Sequence, residues 1–404
     1  MKKLLVMLVV VLSVAALFYA CGSSSSSTPK SNAVTFSSPN QAAASASSVS
    51  GAVSLTATVS TATGLAGGAI PAGYAPKRLK AIDTSAIANL DPRLKTVVDK
   101  MLADLRKPAL VNAMAKSRAL KPSSAPLSSA VISSTTFSCG YSGSFTISGQ
   151  DNSTTSYDDH TVDVAFNNCR DMSGTTYDIM SGSMHAHHKQ MLDGSSDIAD
   201  VRLTDFALSM YSGGALSGSD VLNGTFNSTD NVTDGSDSAN GSFVMSSGGT
   251  DMTFSFSNIS DAWTKTTATL SSTEEHVANG AFGFSIVYSP TSTYTFNISM
   301  SNMTDKVQTN TSDSSRDEWI DGGISLSWSS VYPGTYCLPG SLTVSTDANY
   351  PIHTPVSFSC PTGGKATLNG ATIEFGKPSG TQVTVTVNGT PQVFTDCNSM
   401  GGGC

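Results

Sequence analysis

The chain has 404 residues, of which 13% are charged, and a formal net charge of −8. That length suits one large or two ordinary domains, and the acidic balance without a basic cluster argues against a nucleic-acid partner. Charged residues stand at about half the usual share; Ser and Thr take their place, as suits the exposed faces of strands.

Met1-Lys2-Lys3 opens the chain, and Leu4 to Ala20 follow almost without polar residues. A basic head, an apolar run and a small residue at the cut form a secretory leader over residues 1–20. The run is about 17 residues, short of the ~20 that span a bilayer. Next come Ala20-Cys21-Gly22 and then Ser23 to Ser27. This segment resembles the bacterial lipoprotein signal, in which a small residue precedes an invariant cysteine. The resemblance implies cleavage before Cys21, attachment of palmitate-type acyl chains there, and a membrane partner reached through that lipid. Gly22 rather than Asp after the cysteine implies sorting to the outer membrane. Three acyl chains anchor far more firmly than one. Loss of Lys2 and Lys3 with the leader takes the charge from −8 to −10.

Residues 21–52 are rich in Ser and Ala and read as a disordered tether, with a root-mean-square reach of about 30 Å. Residues 53–133 read as loop with one amphipathic helix. Val53 to Val59 suggest a short strand, and Gly64 to Pro76 a loop. A helix is expected over about 92–106. Asp91 suits its N-cap and Pro92 its first turn, and Leu94, Val97, Val98, Met101, Leu102 and Leu105 form one apolar stripe. Pro108 ends it or starts a second short helix to about Ala119.

From residue 134 to 404 the period is two. Val162, Val164 and Phe166 alternate with polar residues, as do Phe254 and Phe256, and Phe282, Phe284, Ile286 and Tyr288. Tyr294, Phe296, Ile298 and Met300 do the same, then Ile324, Leu326 and Trp328, then Val383, Val385 and Val387. Some fifteen such runs, broken by Gly, Asn, Asp and Ser, predict a mainly β body: an antiparallel β-sandwich or a long curved β-meander, with a short N-terminal helical segment and a possible division near residue 330. One face is buried and the other is wet and hydroxyl-rich. Asn223-Gly224, Asn240-Gly241, Pro339-Gly340 and Asn369-Gly370 each precede a short alternating run and read as turns. With 7% aromatics, the aromatic girdles of a transmembrane barrel are lacking.

Six cysteines follow Cys21, which suggests three disulfides. Local pairing gives Cys139–Cys169, Cys337–Cys360 and Cys397–Cys404; the rival keeps the first and links Cys360–Cys397 and Cys337–Cys404. The absence of CxxC excludes a zinc ribbon and a thioredoxin-like site. Two segments, Cys139-Gly140-Tyr141-Ser142-Gly143 leading to Cys169 and Cys360-Pro361-Thr362-Gly363-Gly364 leading to Asp396-Cys397, resemble uncharacterised exported lipoproteins of Gram-negative bacteria. The similarity covers most of 134–404. It implies a β fold and an envelope location, implies no activity, and favours Cys360–Cys397.

Chemistry-bearing residues are few. In Met184-His185-Ala186-His187-His188, a strand places His185 and His187 on one face, where two imidazoles suit Zn²⁺ or Cu²⁺. His160, with Asp158 and Asp159, is the candidate for a third ligand; the competing reading is solvated histidines. Asp230, Asp234, Gly235 and Asp237 lack calcium-loop spacing and read as turn chemistry. Glu274-Glu275-His276 reads as exposed loop. Trp263, Trp319 and Trp328 are either a sugar-binding face or core anchors. No cofactor motif occurs. The expectation is a membrane-anchored outer-membrane lipoprotein with a structural, adhesive or binding role toward glycan or an envelope protein and no evident catalysis. The alternatives are a carrier of an apolar ligand in a curled sheet, or a glycan hydrolase with two facing carboxylates.

Overall fold

A computed structural model describes residues 33–67, 87, 90–107, 110, 113, 116, 130–170, 172–289, 292–329, 339–358, 360–397 and 399. The leader, Cys21, Cys337 and Cys404 lie outside them. So do residues 21–32 of the expected tether, most of the Gly64–Pro76 loop and most of the second helix.

The body is an antiparallel meander. Its first eleven strands are β1 (Ala130–Ser138), β2 (Ser142–Asp151), β3 (Tyr157–Arg170), β4 (Tyr177–Met191), β5 (Ser196–Ser212), β6 (Ala215–Asn231), β7 (Asp234–Ser247), β8 (Thr250–Thr267), β9 (Ser271–Ser289), β10 (Ser292–Asn310) and β11 (Arg316–Trp328). Each pairs with the next. Then come β12 (Gly340–Thr346), β13 (Ile352–Thr354), β14 (Lys365–Leu368), β15 (Ala371–Phe375), β16 (Val383–Val387) and β17 (Thr390–Phe394). β11 pairs with β12 along one half and with β13 along the other. β12 pairs with β14, and β14 to β17 pair in order. The sheet is therefore continuous on both sides of residue 330. Of the two expected β architectures, the curved meander is the one formed.

Among the described residues, two helices with defined bounds lie on the inner face. Helix α1 (Pro39–Gly67) contacts β5–β10, β12, β16 and β17. It crosses the strands: Gln392 of β17 donates to Asn40 near its start, while Thr56, in its second half, donates to Met300 Sδ of β10. Ala42, Ala43, Ala44, Ser45 and Ala46 are all buried. Five consecutive positions exceed one helical turn, so protein surrounds the helix on every side. This corrects two expectations. Residues 39–52 are core helix rather than tether, and Val53 to Val59 continue that helix rather than forming a strand. An enclosed helix needs no polar face, so its sequence shows no 3.6-residue alternation. Its Ala, Ser, Gly and Thr residues are small enough for the sheet's Phe, Leu and Met side chains to pack closely around it.

Helix α2 (Pro92–Asp104) matches expectation. Asp91 caps it, accepting from Arg93 N at 2.8 Å, and Leu94, Val97, Val98, Met101, Leu102 and Leu105 are all buried. It is tied to the sheet by Arg93 donating to Tyr288 Oη at 2.7 Å and by Lys100, which bridges Asp104 at 2.6 Å and Asp220 of β6.

A belt of β-bulges crosses the sheet. Asn168, Asp205, Asn258 and Asn302 have φ of +46° to +50°, each on a strand whose register shifts there. The neighbouring strand supplies an acceptor for three of them: Asn223, Asn240 and Asn279 Oδ1 accept from the backbone N of Asp205, Asn258 and Asn302 at 2.7, 2.6 and 2.7 Å. Asn223-Gly224 and Asn240-Gly241 are thus mid-strand bulge partners, not turns. Asn369-Gly370 is a turn as expected, between β14 and β15. Gly182, at φ +96°, also lies in the belt; a Cβ there would sit 2.1 Å from Asp205 O, so only glycine fits.

Two disulfides lie among the described residues, Cys139–Cys169 and Cys360–Cys397. The first is the pair expected. The second overturns Cys337–Cys360 and Cys397–Cys404: the β14–β17 hairpins bring Cys397 back beside Cys360, a closeness that sequence spacing does not reveal.

Candidate binding surface

Bulges increase twist and bend a sheet locally. Beside the belt, the outer face of β2–β5 forms a shallow, solvent-open cleft of about 400 Å³. Antiparallel register builds it in rows. One row is Ser148, Asp163, His185 and Arg202, each opposite the next. The adjacent row is Thr146, Ala165, Ser183 and Thr204. His185 Nδ1 lies 2.7 Å from Asp163 Oδ1; the carboxylate accepts, which fixes the ring and leaves Nε2 to face the cleft or solvent. Arg202 supplies a guanidinium with several donors. The cleft thus offers four hydroxyls, a paired imidazole–carboxylate and one cation.

His185 and His187 do share one face, as their spacing predicts. His187 is held on both sides: Nε2 lies 3.0 Å from Asp159 Oδ1 and Nδ1 3.3 Å from Asp200 Oδ2. His160 faces the opposite, inner side, in phase with buried Val162 and Val164, so it cannot be their third ligand. Among the described residues, no three His, Cys, Asp or Glu side chains are grouped to hold a metal ion.

The other candidates disperse. Asp234 accepts from Asn231 Nδ2 at 2.6 Å in the β6–β7 hairpin, which is turn chemistry. Trp263 is buried on the inner face, Trp328 stacks on buried Phe296 at 5.8 Å against the core, and Trp319 lies under Lys306; the three do not form one sugar-binding face. Glu274-Glu275-His276 is not a loop but part of β9. His276 is buried, its Nδ1 3.1 Å from Asp261 Oδ2 and its Nε2 3.4 Å from Glu274 Oε1. Burial, then neighbouring Asp305, pushes the Glu318 carboxyl well above the usual carboxylate range. Asp261, His276 and Asp305, with Val53 and Thr56 of α1, line a cavity of about 10 Å³, room for roughly one water. The sequence reading missed this inner polar layer. Its signal was phase: Asp261, His276, Asp305 and Glu318 each lie two residues from a buried apolar position on the same strand.

No family model, no curated protein and no solved structure matches the chain.

Proposed function

We propose that this is an exported, lipid-anchored protein of the cell envelope that binds a polar ligand, a glycan bearing an acidic group, on the outer face of β2–β5. The cleft carries the reading: hydroxyl rows suit a sugar's hydrogen-bonding groups, and Arg202 beside the Asp163–His185 pair suits an anionic substituent. The two disulfides mark a non-cytoplasmic chain, and the residues around Cys21 supply the anchor in this reading. No helix among the described residues is long and apolar enough to cross a membrane. Helix α1 occupies the interior that an apolar ligand would need, which weighs against a carrier role.

Calorimetric titration of the mature chain with uronic-acid and neutral oligosaccharides tests the binding role. Preferential binding of the acidic set, lost in Arg202→Ala and weakened in Thr204→Ala, is the expected result; equal or absent binding across both sets would remove the proposal. The anchor has its own test: Cys21→Ala should release the protein from membranes and abolish palmitate labelling.

A further inference from the structure

On the inner face, opposite the cleft, three buried polar atoms lie on neighbouring positions of β3 and β4 with no hydrogen bond among the described residues. They are His160 Nδ1, His188 Nδ1 and Gln190 Oε1. His160 and His188 are directly opposed across the strands, and Gln190 follows His188 on the same face. The three residues are 7%, 3% and 8% exposed.

His188 Nε2 lies 2.8 Å from Asp197 Oδ1. With that nitrogen donating its proton to the carboxylate, Nδ1 keeps its lone pair. An imidazole whose one N–H is held by a carboxylate while its other nitrogen stays bare is the arrangement that metal-ligating histidines adopt. The two rings are 5.3 Å apart between centroids and inclined at 65°. Two imidazoles sharing a tetrahedral ion at ~2.0–2.1 Å have ring centres roughly 5.2 Å apart. Asp158 Oδ1 lies 3.7 Å from His160 Nδ1, beyond hydrogen-bond range. Ser153 Oγ holds that carboxylate at 2.6 Å. Leaving His188 Nδ1 and Gln190 Oε1 buried without donors is costly, ~1–3 kcal/mol each, and a cation relieves both.

We propose that His160 and His188 form the nitrogen pair of a transition-metal site for copper or zinc, with Gln190 Oε1 as third ligand and Asp158 at the mouth. The ligand set is two imidazoles and an amide oxygen, and Asp158 stays outside it. The outer pair is the poorer site, because both nitrogens of His187 already serve carboxylates. Copper binds more tightly than zinc to the same ligands.

The test is calorimetric titration of the chelator-treated mature chain with Zn²⁺ and with Cu²⁺. One equivalent should bind, with copper tighter. His160→Asn/His188→Gln should lose it, Asp197→Asn, which keeps both rings, should weaken it 10–100-fold, and His185→Ala/His187→Ala should leave it unchanged. Should the double inner variant fail to fold, ascorbate-driven oxidation of the copper-loaded wild type marks the ligands directly, and modification of His160 and His188 is expected. Failure of the wild type to bind one equivalent overturns the proposal. So does binding lost with the outer pair, or oxidation confined to His185 and His187.

Discussion

Ser54 sits in the middle of α1, and its hydroxyl is buried with no hydrogen-bond partner among the described residues. Removing an unsatisfied polar atom without leaving a large void stabilises, so Ser54→Ala should raise stability by ~1 kcal/mol, read from thermal or urea unfolding. Thr56, one residue pair further on, instead donates to Ala52 O at 3.0 Å and gains nothing from the same change. Glu318 makes a pH-dependent contribution. Its carboxyl is held well above the ordinary range by burial and by Asp305, so the neutral form fits the fold. The stability attached to that form is fully present below the unfolded carboxylate pKa and is lost as pH rises through the folded value. Glu318→Gln should therefore gain on the wild type as pH increases from 4 to 9, seen as a flatter profile of midpoint denaturant concentration. Asp104 works in the same sense, pushed up to about 7 by burial against the pull of Lys100. The loss in the wild type should thus already begin between about pH 4 and 7, and Asp104→Asn should remove that part. These residues were legible as types, but their burial was not.

At the scale of elements, the bulge belt is the feature most open to test. Asn279 Oδ1 accepts from Asn302 N at 2.7 Å, where Asn302 holds φ +48°. Asn279→Ala should cost ~1–2 kcal/mol and speed hydrogen exchange at the Asn302 amide, while Asn302→Gly should be tolerated because glycine accepts that φ. Strand existence was legible from the alternation of Phe254, Phe256 and their kin, since one buried face imposes period two. Helix α2 was legible from its stripe and cap. The bulges were not, because Asn-Gly also codes for tight turns, and only the partner strand decides which it becomes. Helix α1 was not legible either, since a helix wrapped on all sides by protein carries no amphipathic signal.

At the scale of the molecule, the two disulfides close loops spanning 30 and 37 residues. In the chain-entropy account each is worth ~3–4 kcal/mol, so Cys139→Ser/Cys169→Ser should lower unfolding free energy by about that amount in guanidinium titrations. The cleft is also a product of this scale. Thr146, Asp163, His185 and Arg202 come from four strands, and nothing in their separate neighbourhoods marks them as companions; register alone sets them side by side. By itself the sequence determined the β class, the meander's hydroxyl-rich outside, helix α2 and the first disulfide, because each follows from local period, capping or nearness along the chain. Only the tertiary structure decided that residues 39–67 are the core rather than a tether, that Cys397 meets Cys360, and that His160 and His188 turn inward while His185 and His187 turn out. Those outcomes depend on which surfaces the curling sheet encloses, and enclosure is a property of the whole chain.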